Sequence, residues 1–275
     1  MELLERCEAI NRDIERPSSR KDSIRHEEIV KKNTITFANG NRAVVIIAPR
    51  DIDAQTILEA LDFAQPHALI MVFGGAKGLD DSRKARVAEL FNHAIAPVAA
   101  ELGALIIDGG TQSGVMAMIG EAVARDGRRS HLLGIAPKGK ITDPEIAGAT
   151  AVADGAPLEP NHSHFVLVES AEWGGETGKM LELARVFNAP IVAILVNGGA
   201  IAADEALQSV RNGWQLLVVE GSGRFADELS AAVRDGQFAK SVEVSEIARS
   251  GRVALFNVDD AAEKLREELR RMLRY

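Results

Sequence analysis

The residues able to do chemistry stand in short glycine-rich clusters, most of them directly after an apolar run. The clearest is Asp108-Gly109-Gly110-Thr111-Gln112-Ser113-Gly114, which follows Leu105-Ile106-Ile107. Glycines without a Cβ let backbone N–H groups approach a phosphate, and the free donors and dipole of a helix opening there favour its charge. Thr111 and Ser113 add hydroxyls, so Gly109, Gly110, Thr111, Gln112, Ser113 and Gly114 form the first candidate ligand-binding set. The plainer alternative is a tight strand-to-helix turn with an N-cap. No Gly-Lys-Ser/Thr ends the turn and it is not a G-x-G-x-x-G fingerprint, so neither a Walker loop nor ATP hydrolysis is expected.

Other clusters repeat the pattern. Gly74-Gly75-Ala76-Lys77 offers a second glycine pair with a lysine able to reach an anion as a point charge, or to stay solvated on a loop. Pro137-Lys138 closes a third apolar run. Asn161-His162-Ser163-His164 concentrates polar groups between Pro160 and an apolar stretch, and the two histidines share a face if extended. No cysteine or carboxylate stands at ligand spacing beside them, so no metal is expected. Gly174-Gly175-Glu176-Thr177 opens a helix pattern in which Glu176 either caps the helix, meets a ribose hydroxyl, or acts with Glu182 as a general acid or base on a glycosidic bond. Gly221-Ser222-Gly223-Arg224 puts an arginine in a first helical turn, against the dipole preference, which points it toward an anion.

Elements of the βαβ type must position these clusters. Apolar runs predict strands at 43–48, 68–73, 104–108, 132–136, 164–169, 190–196, 215–219 and 253–257. Helical periodicity falls at 53–64, 81–102, 113–126, 176–187, 201–211, 223–234 and 259–273. Right-handed crossovers then give a doubly wound, mostly parallel α/β sheet of Rossmann-like type with helices on both faces, its ligands at the carboxyl ends of the strands. The charged segment 1–40, broken at Pro17-Ser18-Ser19, is expected to be a peripheral helix and linker, with 41–275 as a single domain. The stretch 146–157 is expected to be a long loop.

Composition bounds the partners. Aromatic residues make up 4% of the chain, so Ala, Val, Ile and Leu must build the core. A net charge of −8 gives no footprint for nucleic acid and no polybasic membrane anchor, and no run of apolar residues is long enough to span a bilayer. The lone Cys7 forms no internal disulfide, and with no secretory leader at the N-terminus a cytoplasmic protein with a small-molecule partner is expected.

The motifs together resemble the SLOG superfamily, specifically the prokaryotic relatives (the LSDAT type) of the N-terminal region of melastatin-type TRP channels. The resemblance rests on Phe73-Gly74-Gly75-Ala76, on Asp108 to Met116 with Ile119-Gly120-Glu121-Ala122-Val123, and on Gly134-Ile135-Ala136-Pro137. It continues through Pro160-Asn161-His162-Ser163-His164-Phe165, Ala189-Pro190-Ile191-Val192 and Gly221-Ser222-Gly223-Arg224. It implies a Rossmann-like domain that binds a nucleotide-derived ligand such as ADP-ribose, acting as a sensor, with no cofactor required and with a homo-oligomer or a separate effector protein carrying any signal. A related branch, the LOG-type phosphoribohydrolases, cleaves nucleoside 5′-monophosphates with a Pro-Gly-Gly-x-Gly-Thr-x-x-Glu motif. The stretch from Trp173 to Glu182 departs from it in the proline, the Gly-Thr order and the glutamate spacing. A non-catalytic binding module is therefore preferred over a hydrolase.

Overall fold

The structure, a computed structural model, describes residues 30–75, 77–147, 152–236 and 241–273. Cys7 and the Pro17-Ser18-Ser19 break, like most of the expected N-terminal helix, lie outside the described residues, as does Ala76. Nine strands form one sheet in the order β1-β2-β6-β5-β4-β3-β7-β8-β9. They are β1 (Lys31–Thr36), β2 (Arg42–Ala48), β3 (Ala68–Gly74), β4 (Ala104–Asp108), β5 (Leu132–Pro137), β6 (His164–Val168), β7 (Ile191–Val196), β8 (Gln215–Glu220) and β9 (Val253–Asn257). Only the β1–β2 pair is antiparallel. All eight expected strands are present; the central ones are apolar runs buried on both faces, whereas β9 at the edge is mostly half-buried.

The helices are α1 (Ala54–Leu61), α2 (Asp81–Leu90), α3 (Ala96–Leu102), α4 (Gly114–Arg125), α5 (Pro144–Ala147), α6 (Thr177–Val186), α7 (Ala200–Arg211), α8 (Arg224–Asp235), α9 (Val242–Arg249) and α10 (Ala262–Leu273). The single helix expected over 81–102 has a π turn at Phe91–Ile95 between α2 and α3. Pro97 supplies the reason, since it has no N–H to give back to the preceding turn and the backbone widens around it.

Two differences from expectation concern polar segments. Lys31–Thr36 is an edge strand where a linker was expected; only Ile35 along it is buried, so its alternation presents no apolar face. Helix α9, started by Ser241 Oγ accepting from Val244 N at 3.1 Å, was not anticipated.

One apolar layer packs α1, α6, α7, α8 and α9 against the sheet, and a second packs α2, α3, α4 and α10 on the opposite face. The neighbouring strands β3 and β7 therefore send their chains to opposite faces, β3 toward α2 and β7 toward α7. That divergence opens a crevice beyond their carboxyl ends, the place where doubly wound sheets hold ligands.

Candidate functional site

The backbone at the crevice is unusually close. At Gly74 (φ +139°) a Cβ would stand 1.9 Å from the carbonyl oxygen of Val196, so the ends of β3 and β7 meet as they do only because residue 74 is glycine. Asn197 (φ +57°) follows on β7 and ties three loops together. Its N–H donates to Ser222 Oγ at 2.7 Å, its carbonyl accepts from Ala226 N at 2.9 Å, and its side-chain amide donates to the Lys77 carbonyl at 3.4 Å. Gly75, Lys77, Gly221, Ser222, Gly223 and Arg224 are thus gathered around the start of α7. Ser222 is buried as a tie between loops, its hydroxyl donating to the Val219 carbonyl. Arg224 is exposed, holds φ +48°, and lays its guanidinium over Gly199, the N-cap of α7.

On the neighbouring side lies the start of α6. Gly174 backs onto Ile201 of α7, and a Cβ on Gly175 would fall 2.1 Å from Ser170 Oγ, which accepts from Arg50 Nη2 at 2.7 Å. Glu176 is buried, and removal from water pushes its carboxyl up to about 6 against the pull of the Glu176 and Gly174 N–H groups. Glu205, buried on α7, is raised well above the usual carboxylate range by burial first and then by the charges of Glu176, Asp204 and Asp108. Of the eight buried side-chain atoms without a hydrogen-bond partner among the described residues, four, Asp108 Oδ2, Glu176 Oε2, Thr177 Oγ1 and Asn197 Oδ1, stand at the carboxyl ends of β4, β6 and β7 or the helix that follows. Buried polar atoms ordinarily find partners, so such a concentration is what a ligand with donors to offer would satisfy.

The β4–α4 turn differs from the expected phosphate cradle. Gly110 N donates to Asp108 Oδ1 at 2.6 Å, Gln112 N to the Pro157 carbonyl at 2.8 Å and Ser113 N to the Thr111 carbonyl at 2.7 Å, so those donors are spent inside the protein. Gly110 is a glycine because its Cα packs onto Gly134, where a Cβ would stand 2.6 Å from the Gly134 Cα. Thr111 is buried and its hydroxyl shares a hydrogen bond with Ser113 Oγ at 3.1 Å. Gly109 packs beside Met116. What remains for an anion is the first turn of α4, the N–H groups of Gly114 (φ +56°), Val115 and Met116, which a helix leaves without an internal acceptor.

The Asn161-His162-Ser163-His164 cluster is divided, His162 lying beneath the glycine turn and His164 against Phe63 and His131. His162 has no exposed surface; Nε2 lies 2.9 Å from Asp108 Oδ1 and Nδ1 lies 2.8 Å from Glu159 Oε2, so both ring nitrogens are committed beneath the glycine turn. Asn161 donates to the Glu159 carboxylate through N and Nδ2, and its Oδ1 accepts from Asn41 Nδ2 at 3.1 Å. Ser163 and His164 sit at the opposite, amino end of the sheet, where the His164 ring packs against Phe63 and His131. Burial there, with the His131 and Lys32 charges, lowers His164 to about 4. Each of these residues thus has protein partners of its own.

Pro137 ends β5 buried, and Lys138 with Gly139, Ile141, Glu169 and Ser170 lines a separate cavity of about 480 Å³ at the same sheet edge. Glu182, paired with Glu176 as a prospective acid and base, is instead bound at 2.5 Å by Lys179, whose ammonium also reaches the Ile52 carbonyl; it stands on another face of α6, half-exposed. Four contributors escaped sequence reasoning. Arg50 and Asn197 each follow a strand and were legible as turn residues, whereas Glu159 and Glu205 look like ordinary surface glutamates. Among the described residues no group of histidine, cysteine and carboxylate side chains is arranged to hold a metal ion.

Comparison with known proteins gives one family and a consistent set of relatives. A family model described as SLOG in TRPM, prokaryote, matches residues 67–266. The transient receptor potential cation channel subfamily M member 2 of Mus musculus is 30% identical over 220 residues, 66% of this chain and 14% of the channel. The subfamily M member-like 2 protein of Nematostella vectensis is 27% identical over 237 residues, 71% of this chain and 15% of its own length. Member 7 of Rattus norvegicus is 28% identical over 211 residues, 66% of this chain and 11% of its own. The chain thus spans between 11% and 15% of the length of these relatives, and no helix among its described residues is long and apolar enough to cross a membrane.

Proposed function

The chain belongs to the prokaryotic SLOG in TRPM family, and from that premise we propose that it is a SLOG-type ligand-binding module whose crevice between β3 and β7 takes a nucleotide-derived ligand of the ADP-ribose or nucleoside-phosphate kind. The observation that carries this reading is the set of four buried, unpartnered polar atoms on Asp108, Glu176, Thr177 and Asn197. The oxygens of Asp108, Glu176 and Asn197 ask for hydroxyl or amine donors and the Thr177 hydroxyl can accept or donate, while the first turns of α4 and α7 and the Arg224 guanidinium offer positive ends to phosphate. A ribosyl phosphate has both characters. No cofactor is needed for such a role, and the signal of a sensor would pass to a second copy or a separate effector protein. A nucleotide ligand and the absence of a disulfide framework point to the cytoplasm.

A second reading rests on Glu176 alone. A buried carboxyl held at about 6, with one oxygen free, is suited to deliver a proton to a leaving base, as a phosphoribohydrolase requires. Calorimetric titration with ADP-ribose, AMP and related nucleotides tests the first reading: saturable binding weakened at least tenfold by Arg224→Ala is expected, and silence across the panel overturns it. Incubation with AMP separates the second, since base release at the same rate by Glu176→Gln would remove that carboxyl from any chemistry.

A further inference from the structure

The proposed ligand turn is held from below by a chain of buried groups of which the binding reading uses only the free oxygen of Asp108. Asp108 Oδ1 accepts from Gly110 N at 2.6 Å and faces His162 Nε2 at 2.9 Å. Across the ring, Nδ1 faces Glu159 Oε2 at 2.8 Å, and the same oxygen accepts from Asn161 N at 2.8 Å. Two carboxylates accept and donate nothing, and only a doubly protonated imidazole donates from both nitrogens. The protein makes room for this arrangement, because a Cβ on Gly120 of α4 would lie 2.2 Å from the Glu159 carboxylate. Phe165 stacks on the ring at 5.4 Å between centroids.

We propose that His162 is a positioning residue: as an imidazolium clamped between Asp108 and Glu159, it holds the Asp108–Gly110 turn, and with it the opening of α4, in the arrangement that receives the ligand. The proposal rests on the binding reading for what the turn does, and on the clamp geometry alone for how it is held. His162 has no exposed surface, so it acts on the ligand through this turn. The titratable groups facing the ring are Asp108, at the end of β4, and Glu159, on the segment before β6 and against α4. Burial works to discharge the imidazole, yet the charges and hydrogen bonds of the two carboxylates outweigh it and push His162 up to about 9.

The test is nitrogen-15 NMR of the full chain between pH 6 and 10, with calorimetric titration of ADP-ribose and AMP over the same range. Both His162 nitrogens are expected to carry protons at pH 7 and to lose one near pH 9, with the amide signals of Gly110 and Gly114 moving on the same curve without ligand. Affinity should fall at least tenfold across that transition. In Glu159→Gln one clamping charge is gone, so the ring, the two amides and the affinity should all shift together to lower pH. A neutral His162 at pH 7, or Gly110 and Gly114 signals indifferent to its titration, overturns the proposal. Should neither nucleotide bind at any pH while the coupled titration appears as expected, the ligand assignment fails and the positioning role stands.

Discussion

Replacing Glu176 by glutamine is expected to stabilise this protein at neutral and alkaline pH while weakening its site. The Glu176 carboxyl rises from its ordinary 4.5 to about 6 because burial penalises the anion more than two backbone N–H groups favour it. A carboxyl with a raised folded-state value binds its proton more tightly folded than unfolded. Its favourable contribution is therefore complete below about pH 4.5 and is lost as pH rises through about 6. At about 1.4 kcal/mol for each tenfold change in proton affinity, the loss is about 2 kcal/mol. Glutamine keeps the shape and does not titrate. Its amide nitrogen, if it lands where Glu176 Oε2 has no partner, returns part of the gain, so about 2 kcal/mol is an upper value for Glu176 itself. Urea denaturation of both proteins at pH 4 and pH 8 measures the effect, and their difference at each pH cancels the titrating groups that Glu176 does not influence, leaving Glu205, which its charge raises, to add to the gain at pH 8. Near zero at pH 4 and a gain of 1 to 2 kcal/mol at pH 8, as roughly derived above, is the expected pair. A variant less stable than the parent at pH 8, or a difference that ignores pH, would refute the idea that Glu176 is a strained site residue.

Two glycines test the packing that shapes the site. Gly120→Ala would stabilise an ordinary exposed helix by about 1 kcal/mol, but here the new methyl meets the Glu159 carboxylate, so a loss of about 1 to 3 kcal/mol is expected in denaturant unfolding, with the NMR signals of His162 displaced. Unchanged or improved stability would show that Glu159 has room to move. Gly74→Ala drives a Cβ into the Val196 carbonyl at φ +139°, and an expected loss of at least about 3 kcal/mol in the same assay would accompany separation of the β3 and β7 ends; a fully native melting curve would contradict the close crossing.

The parallel sheet was legible because its strands are short apolar runs between helical periods, and all eight from residue 43 onward lie where the runs lie. What was not legible follows from the same physics. Lys31–Thr36 pairs through its backbone at an edge, where side chains owe nothing to burial, and so resembles any polar segment. The glycine clusters were visible as turns, yet not the reason for each glycine: Gly110 and Gly120 admit a neighbouring chain or carboxylate and Gly74 a crossing strand, while the start of α4 keeps backbone donors to spare. His162 looked like a ligand residue because a histidine between prolines and a strand is rare. Its partners, Asp108 and Glu159, are 54 and 3 residues away, and only the first of those separations is set by the fold. Glu205 gave no signal, since a glutamate in an Ala-rich helix looks solvated until α6 is packed beside it.

The matched family region begins at residue 67, but the site leans on residues before it. β2 lies between β1 and β6, and the turn that joins β1 to β2 reaches Pro160 and Asn161 through the side chain of Asn41. Arg50, following β2, holds Ser170 and so the approach to Gly175. Asn161 in turn binds Glu159, which clamps His162 beneath Asp108. The hairpin and the ligand turn are therefore two ends of one hydrogen-bonded series. The series passes through a charged, buried histidine, whose cost in desolvation is repaid only while both carboxylates stay in place. Any displacement of the β1–β2 turn must either leave that balance intact or release the Asp108 turn with it. The segment outside the family match is thus part of what keeps the site assembled.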